Sequence, residues 1–272
     1  YSKNLTRTGL LCVYSFMITH NIITLIPARR DSTRLPRKPL AQIGDKPMIV
    51  HSVERAKIAG CGSVFVATDD EEIAAIVQEH GHQSILTRQD HQSGSDRIFE
   101  ALQFIDPAQT FNIVINLQGD LPFIEAEHLR QVVRPLLAFP SVDIATLCSP
   151  INTIEQVKDP NIVKLIGSPC PKQPNILSAL YFTRAQAPYG AGPFFEHIGV
   201  YAYQRQALQR FVHFPPSALE QREKLEQLRA LENGMTIKAT LVENCPISVD
   251  TAGDLEKARL FWHAQQKHTS CS

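Results

Sequence analysis

Two patterns of apolar residues alternate along the first half of the chain, one typical of buried strands and one typical of helices. Short, continuously apolar runs are typical of parallel strands buried on both faces, and they predict strands at residues 22–26, 64–67, 84–86 and 113–117. Between them, apolar residues recur at helical spacing, which predicts helices at about 47–59, 71–80, 95–105 and 125–137. This order indicates right-handed crossovers and a mostly parallel sheet with helices on both faces.

The alternation of predicted strands and helices ends after Val142. Short β-like stretches at 142–147, 162–166, 177–183 and 198–203, separated by Pro- and Gly-rich loops, predict a smaller mixed or antiparallel region. The capping box Ser217–Glu220 opens a helix expected to run to Asn233 and Gly234, and a final strand and a helix at 254–266 follow. We therefore divide the chain into an N-terminal extension (1–20), an α/β core (21–150), a mixed β region (151–216) and a return to the core (217–272).

Composition narrows the class of protein. The 272 residues include 27 basic and 27 acidic side chains, so the broad positive charge of a nucleic-acid-binding protein is absent. The six cysteines form no C-x-x-C pair and no H-E-x-x-H array occurs, which argues against a zinc site or a disulfide framework and favours a reduced, cytoplasmic protein without a membrane span.

The first twenty residues contain the one segment that resembles a targeting signal. Lys3 and Arg7 precede an apolar stretch at 9–18, which is too short to span a bilayer and lacks a small-residue cleavage site. The alternative is that Met17 is the natural start and that residues 1–16 are an upstream extension.

Candidate chemistry lies in the loops after the predicted strands, because ligands of open α/β sheets bind beyond the carboxyl ends of the strands. The loop at 28–40 holds four arginines, one lysine and two prolines, a set that suits a triphosphate. A solvated run of charges is the alternative. Neither a P-loop nor a G-x-G-x-x-G fingerprint is present, so side chains must hold the phosphates.

Two aspartates are candidate Mg²⁺ ligands. Asp120 follows Gly119 after the fourth predicted strand, and Asp250 lies in the segment 248–251, which we expect to end the last strand. Either carboxylate could instead cap a turn or a helix.

At this point a family resemblance is clear. From Ile22 to Arg259 the chain resembles the 3-deoxy-manno-octulosonate cytidylyltransferases, or CMP-Kdo synthetases. The segments that carry the resemblance are IPARRDSTRLPRKPL, GDKPMIVHSVERA, VFVATDD, LTRQDHQSGSDR, NLQGDLP, HIGVYAY, LEQLRALENG and SVDTAGDLEKAR. The resemblance implies a single Rossmann-like nucleotidyltransferase domain in which the mixed β region serves dimerisation and sugar binding. It also implies transfer of CMP from CTP to Kdo with release of pyrophosphate, dependence on Mg²⁺, a homodimer, and lipopolysaccharide synthesis in the Gram-negative cytoplasm.

The resemblance also implies roles for individual residues. Catalysis would fall to Arg29, Arg34, Lys38, Asp120 and Asp250, of which Asp120 and Asp250 bind metal. Nucleotide binding would add Ala28, Ser32, Ser93 and Gly94, with His91 and Gln92 helping to enclose the cytidine. Sugar binding would fall to Gln118, Arg184, His197, Tyr201, Glu226 and Gln227. Taken alone, each residue of the sugar set also fits an ordinary surface or core position.

The chain departs from the family pattern at four places. Arg37 stands where the family usually has Gly, Leu121 where an acidic residue is common, and Thr183 where Ser is usual. The stretch 187–196 is shorter than in the family. These differences bear on the sugar-side loop and the dimer contact rather than on the phosphate and metal residues.

We expect in-line attack of the Kdo anomeric hydroxyl on the α-phosphorus of CTP, with no covalent enzyme intermediate and no required side-chain base. One alternative keeps CTP but uses another acceptor, such as 8-amino-Kdo or a different ulosonic acid. A second is a non-catalytic nucleotide-binding protein of the same fold. A third, a glycosyltransferase, is disfavoured because no D-x-D motif lies at a predicted strand end.

Overall fold

A computed structural model describes residues 21–30 and 35–269. The predicted N-terminal extension and its Met17 start, as well as the site candidates Ser32 and Arg34, lie outside these residues. Within the described part of the chain no helix is both long and apolar enough to cross a membrane.

A nine-stranded sheet forms the centre of the fold, and a two-stranded hairpin lies beside it. The strands, in chain order, are β1 (Ile22–Ala28), β2 (Gln42–Ile43), β3 (Lys46–Pro47), β4 (Ser63–Thr68), β5 (Gln83–Leu86), β6 (Ile113–Asn116), β7 (Ile144–Ile151), β8 (Lys164–Cys170), β9 (Gln173–Thr183), β10 (Phe194–Gln204) and β11 (Ile237–Leu241). The spatial order is β5-β4-β1-β6-β10-β7-β11-β9-β8, and β2 pairs with β3.

The α/β class predicted from sequence is confirmed. Strands β5, β4, β1 and β6 are mutually parallel, whereas β10 runs antiparallel between β6 and β7. The chain moves outward from β1 to β4 and β5 and then returns to β6 on the other side of β1. That reversal creates a crevice at the carboxyl ends of β1 and β6, which is where open sheets bind ligands.

Helices cover both faces of the sheet. They are α1 (Met48–Ala59), α2 (Glu71–Glu79), α3 (Gly94–Ile105), α4 (Ala126–Val132), α5 (Arg134–Ala138), α6 (Ile154–Lys158), α7 (Arg205–His213), α8 (Ala218–Glu223), α9 (Gln227–Glu232) and α10 (Ala252–Thr269). Successive residues of β1 enter opposite core layers: Ile22 and Ile26 pack on the side of α1, and Ile23 and Leu25 on the side of α3. Burial on both faces explains why β1 is apolar throughout.

The strands of the predicted mixed region join the main sheet. β8 and β9 pair antiparallel at its far edge, and β10 enters its middle. The sequence pattern located β8, β9 and β10 but gave no sign of this insertion, because strand order depends on long-range pairing. The domain boundaries at 150 and 216 stay predictions.

Two of the predicted helices are broken. The helix expected at 125–137 is two helices, α4 and α5, with Pro135 in the first turn of the second. Proline has no amide hydrogen and its ring clashes with the preceding turn, which restarts the helix. The helix expected at 217–234 begins with the Ser217–Glu220 capping box. It stops after Glu223, because the next residue, Lys224, has a left-handed φ of 58°.

Two further elements differ from the sequence prediction. Helix α7 was not predicted, although it packs Ala207, Leu208 and Phe211 into the core. The last strand, β11, ends at Leu241, so the expectation that Asp250 ends a strand is wrong: Asp250 lies in the connection between β11 and α10. A backbone hydrogen bond of 3.0 Å from Val249 N to Asp120 O fixes that connection beside β6.

The left-handed residue between α8 and α9 gives a test of local strain. Lys224 is exposed, and an L side chain in this region costs energy that glycine avoids. We expect Lys224→Gly to raise the free energy of unfolding by about 0.5–1 kcal/mol, measured by urea denaturation. Lys224→Ala is the matched control, because it removes the same side chain but keeps the strain. Equal stability of the two variants would contradict this explanation.

Candidate active site

The basic loop after β1 turns back sharply at Arg37. Its φ of 55° is left-handed, and a short 3-10 turn, Lys38–Leu40, follows directly. This geometry accounts for the glycine that the family usually has here. In this chain the Arg37 side chain forms an ion pair with Glu72 at the start of α2. The turn directs Lys38 back over the carboxyl ends of the strands.

Lys38 lies between the two predicted metal ligands. Its Nζ donates to Asp120 Oδ2 at 2.7 Å and to Asp250 Oδ1 at 2.9 Å. Burial acts to lower the pKa of Lys38, but the two carboxylates outweigh it and raise that pKa above its ordinary value. The ammonium therefore stays protonated, and three of the five residues that the resemblance assigned to catalysis form one charged cluster.

A cleft opens beside this cluster. Two adjoining cavities of about 260 and 250 Å³ share Pro27, Ala28, Arg29 and Gln118 as walls. The first extends to Lys38, Gly119, Asp120 and Asp250, and the second to His91, Gln92, Ser93, Gly94 and Arg97. The described residues of the predicted nucleotide set thus line one continuous cleft, with carboxylates and Lys38 at one end and the 91–94 segment at the other.

The segment 91–94 is held rigidly. Ser93 caps α3 by accepting from the Asp96 amide at 3.1 Å, and the ring of His91 lies 2.6 Å from Glu100 Oε2. Gly94 allows a close approach, since a Cβ there would lie 3.1 Å from the Pro27 ring. The far end of the cleft is therefore narrow and preformed.

Sequence reasoning missed one residue of this wall, Arg97. It is 3% exposed, and its guanidinium donates to Asp69 Oδ2 at 2.6 Å and to Thr87 Oγ1 at 2.7 Å. It thereby joins α3 to the ends of β4 and β5. The available signal was an arginine in the first turn of a predicted helix, directly after the 91–94 segment.

The sugar candidates on β10 share one face of the sheet. A bulge after Ile198 leaves Tyr201 opposite Thr146, and His197 lies opposite Cys148. The His197 ring lies 5.5 Å from that of Tyr201, and its Nε2 is 3.0 Å from Thr146 Oγ1. Burial lowers the pKa of His197 to about 3, so this histidine is neutral.

Glu226 and Gln118 reach the same place from other elements. Glu226 Oε2 accepts from Ser95 Oγ at 3.1 Å, and burial raises the pKa of Glu226. Its Oε1 is buried and has no hydrogen-bond partner among the described residues. Gln118 donates to Asn116, which is opposite Tyr201 in the sheet, at 2.8 Å. An unpaired buried carboxylate oxygen is costly, so this position calls for a donor from a ligand.

Two other sugar candidates have different surroundings. Arg184 donates from Nε to the carbonyl of Glu223 at 2.9 Å and from Nη1 to that of Pro160 at 3.0 Å, and it lines neither of the two cavities. Gln227 is 5% exposed, and its Nε2 has no hydrogen-bond partner in the described part of the chain. The structure thus groups Gln118, Glu226 and the β10 residues, but it does not bring the Arg184 guanidinium to the cleft walls.

The remaining departures from the family pattern have structural counterparts. Leu121 is 5% exposed and packs in the core beneath the 118–120 turn. Thr183 keeps the function of a serine hydroxyl, donating to Glu223 Oε1 at 2.8 Å. In the short stretch at 187–196, Tyr189 is fully exposed.

The carboxylates of Asp120 and Asp250, which contact Lys38, determine which metal ion could bind here. No group of three or more His, Cys, Asp or Glu side chains in the described residues is arranged to hold a metal ion. Two convergent carboxylates beside a phosphate-sized cleft do match Mg²⁺, which proteins hold through one or two carboxylates with water and substrate phosphates completing the shell.

The chain is similar to known proteins along most of its length. The cytidylyltransferase family model matches residues 23–237. The 3-deoxy-manno-octulosonate cytidylyltransferase of Rhodopseudomonas palustris strain BisA53 is 58% identical over 237 residues, which is 87% of this chain and 95% of that protein. The corresponding protein of Brucella anthropi is 56% identical over 89% of this chain and 97% of its own length.

The chain belongs to the 3-deoxy-manno-octulosonate cytidylyltransferases. A solved CMP:2-keto-3-deoxy-manno-octonic acid synthetase in complex with CTP has a TM-score of 0.82 and 39% identity, covering 90% of this chain and 99% of that one. A cytidylyltransferase of Leptospira borgpetersenii, 16% identical with a TM-score of 0.57 over 88% of this chain and 85% of its own, shares the fold. The family resemblance found in the sequence is thereby confirmed.

Proposed function

We propose that this cytidylyltransferase transfers CMP from CTP to the anomeric hydroxyl of Kdo and releases pyrophosphate, a step in making a lipopolysaccharide precursor. The observation that carries the proposal is the Lys38–Asp120–Asp250 cluster at the end of a cleft lined by Ala28, Arg29, Ser93 and Gly94. Family membership supports the choice of CTP and Kdo over other nucleotides and sugars.

The charges along the cleft set the direction of the nucleotide. Arg29 and Lys38 line the cavity that also contains Asp120 and Asp250. The triphosphate therefore binds at this end of the cleft. The base then enters the narrow end, between Pro27 and the 91–94 segment. Arg34, which is outside the described residues, belongs to the same basic loop and would add positive charge.

Asp120 and Asp250 are the residues that would hold Mg²⁺. Bound there, Mg²⁺ would act as a Lewis acid that offsets phosphate charge and lowers the pKa of the attacking hydroxyl. Asp120 and Asp250 supply negative charge for the metal, and Arg29 and Lys38 supply positive charge for the phosphates. Fixed charges of this kind stabilise a transition state without reorganising during the reaction.

The reaction is one in-line displacement. The anomeric oxygen of Kdo attacks the α-phosphorus, a new P–O bond forms, the bond to pyrophosphate breaks, and the hydroxyl proton passes to solvent. Lys38 and Arg29 hold the negative charge that develops on the departing pyrophosphate. His197, with its pKa of about 3, cannot serve as a general acid near neutral pH and acts as a neutral hydrogen-bonding group.

The acceptor site lies between β10 and the start of α9. Glu226 offers a buried carboxylate oxygen that has no hydrogen-bond partner in the described part of the chain. Gln118 and Tyr201 both adjoin Asn116, Gln118 through a hydrogen bond and Tyr201 as its neighbour in the sheet. These groups suit the hydroxyls of a sugar. Gln118 also lines both cavities, so the acceptor hydroxyl and the α-phosphate can meet at this residue.

A cytoplasmic homodimer is part of the proposal. Its support is the resemblance to the family.

Pyrophosphate release from CTP and Mg²⁺ with a panel of acidic sugars tests the proposed reaction. We expect turnover with Kdo to exceed that with other ulosonic acids and with neutral sugars. Substituting UTP for CTP measures the preference for the base in the same assay. Faster turnover of another ulosonic acid would reassign the acceptor.

The metal assignment is tested at each carboxylate. Asp120→Asn and Asp250→Asn keep the size of the side chain but remove the charge, so each should lower kcat by about 10²-fold or more. Circular dichroism would check that the fold is kept, and Asp45→Asn, an exposed aspartate outside the cleft, is the matched control. Near-normal turnover of either variant at ordinary Mg²⁺ would remove that ligand from the site.

The place of Arg184 in the sugar set is tested by kinetics and stability together. If Arg184 binds the acceptor carboxylate, Arg184→Ala should weaken the binding of Kdo by about 1.5–3 kcal/mol and leave the KM for CTP unchanged. Initial rates are measured with each substrate varied while the other is saturating. A lowered melting temperature with both KM values unchanged would instead show that Arg184 only joins Pro160 to Glu223.

A further inference from the structure

The ammonium of Lys38 occupies the space that a divalent cation would need. It contacts both carboxylates, at 2.7 and 2.9 Å, and the side chains of Lys38, Asp120 and Asp250 are 16%, 24% and 38% exposed, so the Asp120 contact is the more shielded of the two. An interaction so shielded from solvent is stronger than a surface pair. A free metal ion must therefore displace a bound cation rather than enter an open pair of carboxylates.

We propose that Lys38 excludes divalent cations from the nucleotide-free enzyme, and that a bound triphosphate opens the carboxylate pair by drawing the ammonium onto its own oxygens. This inference rests on the metal site of the proposed function. It adds an order of binding: metal enters with the nucleotide or after it, and the empty enzyme does not take up free Mg²⁺.

The position of Lys38 allows the exchange without backbone movement. Its main chain is fixed in the 3-10 turn Lys38–Leu40, where Pro39 is buried. Its side chain also lines the cavity that holds Arg29 and Gln118, where the phosphates are proposed to bind. Rotation of the side chain is enough to carry Nζ from one set of anionic oxygens to another. Phosphate oxygens replace the hydrogen bonds that the carboxylates lose.

The chain contains a suitable comparison. Lys46 also forms a short ion pair, 2.7 Å from Glu54, but neither residue lines the two cavities and both side chains are about one-third exposed. A charge removed at Lys46 changes the net charge of the protein as much as one removed at Lys38. It leaves the Asp120–Asp250 pair untouched.

The experiment measures Mn²⁺ binding to nucleotide-free protein by electron paramagnetic resonance, which needs no turnover. We expect Lys38→Met and Lys38→Gln to bind Mn²⁺ at least about tenfold more tightly than the wild type, because the competing cation is gone. Lys46→Met should match the wild type. Lys38→Arg keeps a cation between the carboxylates and should keep Mn²⁺ out.

Thermal stability gives a second measurement, which stays informative if the two facing carboxylates destabilise the fold. Without Lys38 they repel each other, so Lys38→Met and Lys38→Gln should melt at a lower temperature than the wild type in the absence of metal. Added Mg²⁺ should then raise their melting temperatures more than that of the wild type. An unchanged response to Mg²⁺ in both variants would count against exclusion by Lys38.

Asp120→Asn separates this inference from the proposed metal site. Added to Lys38→Met, it should abolish the tighter Mn²⁺ binding, and alone it should weaken Mn²⁺ binding in the presence of CTP. If Asp120→Asn has that effect while neither Lys38 variant binds Mn²⁺ more tightly, the inference is overturned and the metal site stands. If Asp120→Asn leaves Mn²⁺ binding with CTP unaltered, both fail together.

Discussion

The double ion pair of Lys38 with Asp120 and Asp250 is the interaction on which the site depends. It joins three segments far apart in sequence: the basic loop after β1, the turn after β6 and the connection that precedes α10. Each charge alone is unfavourable to bury, and Lys38 offsets one of the two negative charges of Asp120 and Asp250. The hydrogen bond from Val249 to Asp120 holds the same junction through the backbone.

The sheet provides the geometry for that junction. Because β4 and β5 lie on one side of β1 and β6 on the other, the loops after β1 and β6 leave the sheet on either side of a gap. The antiparallel strand β10 then enters beside β6, with Tyr201 opposite Asn116. The proposed triphosphate cleft thus lies next to the proposed sugar-binding residues, and Gln118 lines both cavities of the cleft.

Electrostatics differ sharply between the two halves of the site. At the phosphate end Lys38 stays protonated, because Asp120 and Asp250 raise its pKa. At the proposed sugar end the side chains are buried, and burial raises the pKa of Glu226 while lowering that of His197. Charged groups thus lie at the proposed phosphate end, where the reaction moves charge. Neutral or incompletely paired groups lie at the proposed sugar end, where they would orient hydroxyls through hydrogen bonds.

The sequence by itself determined the parallel core, because strands buried on both faces must be apolar throughout and helices must be amphipathic. It also determined the candidate chemistry, through the basic loop and the family motifs. Only the tertiary structure decided that β10 enters the sheet beside β6, that Asp250 reaches Lys38 from a connection rather than a strand end, and that Arg97 lines the cleft. Pairing over such separations depends on packing between distant segments, which no local pattern records.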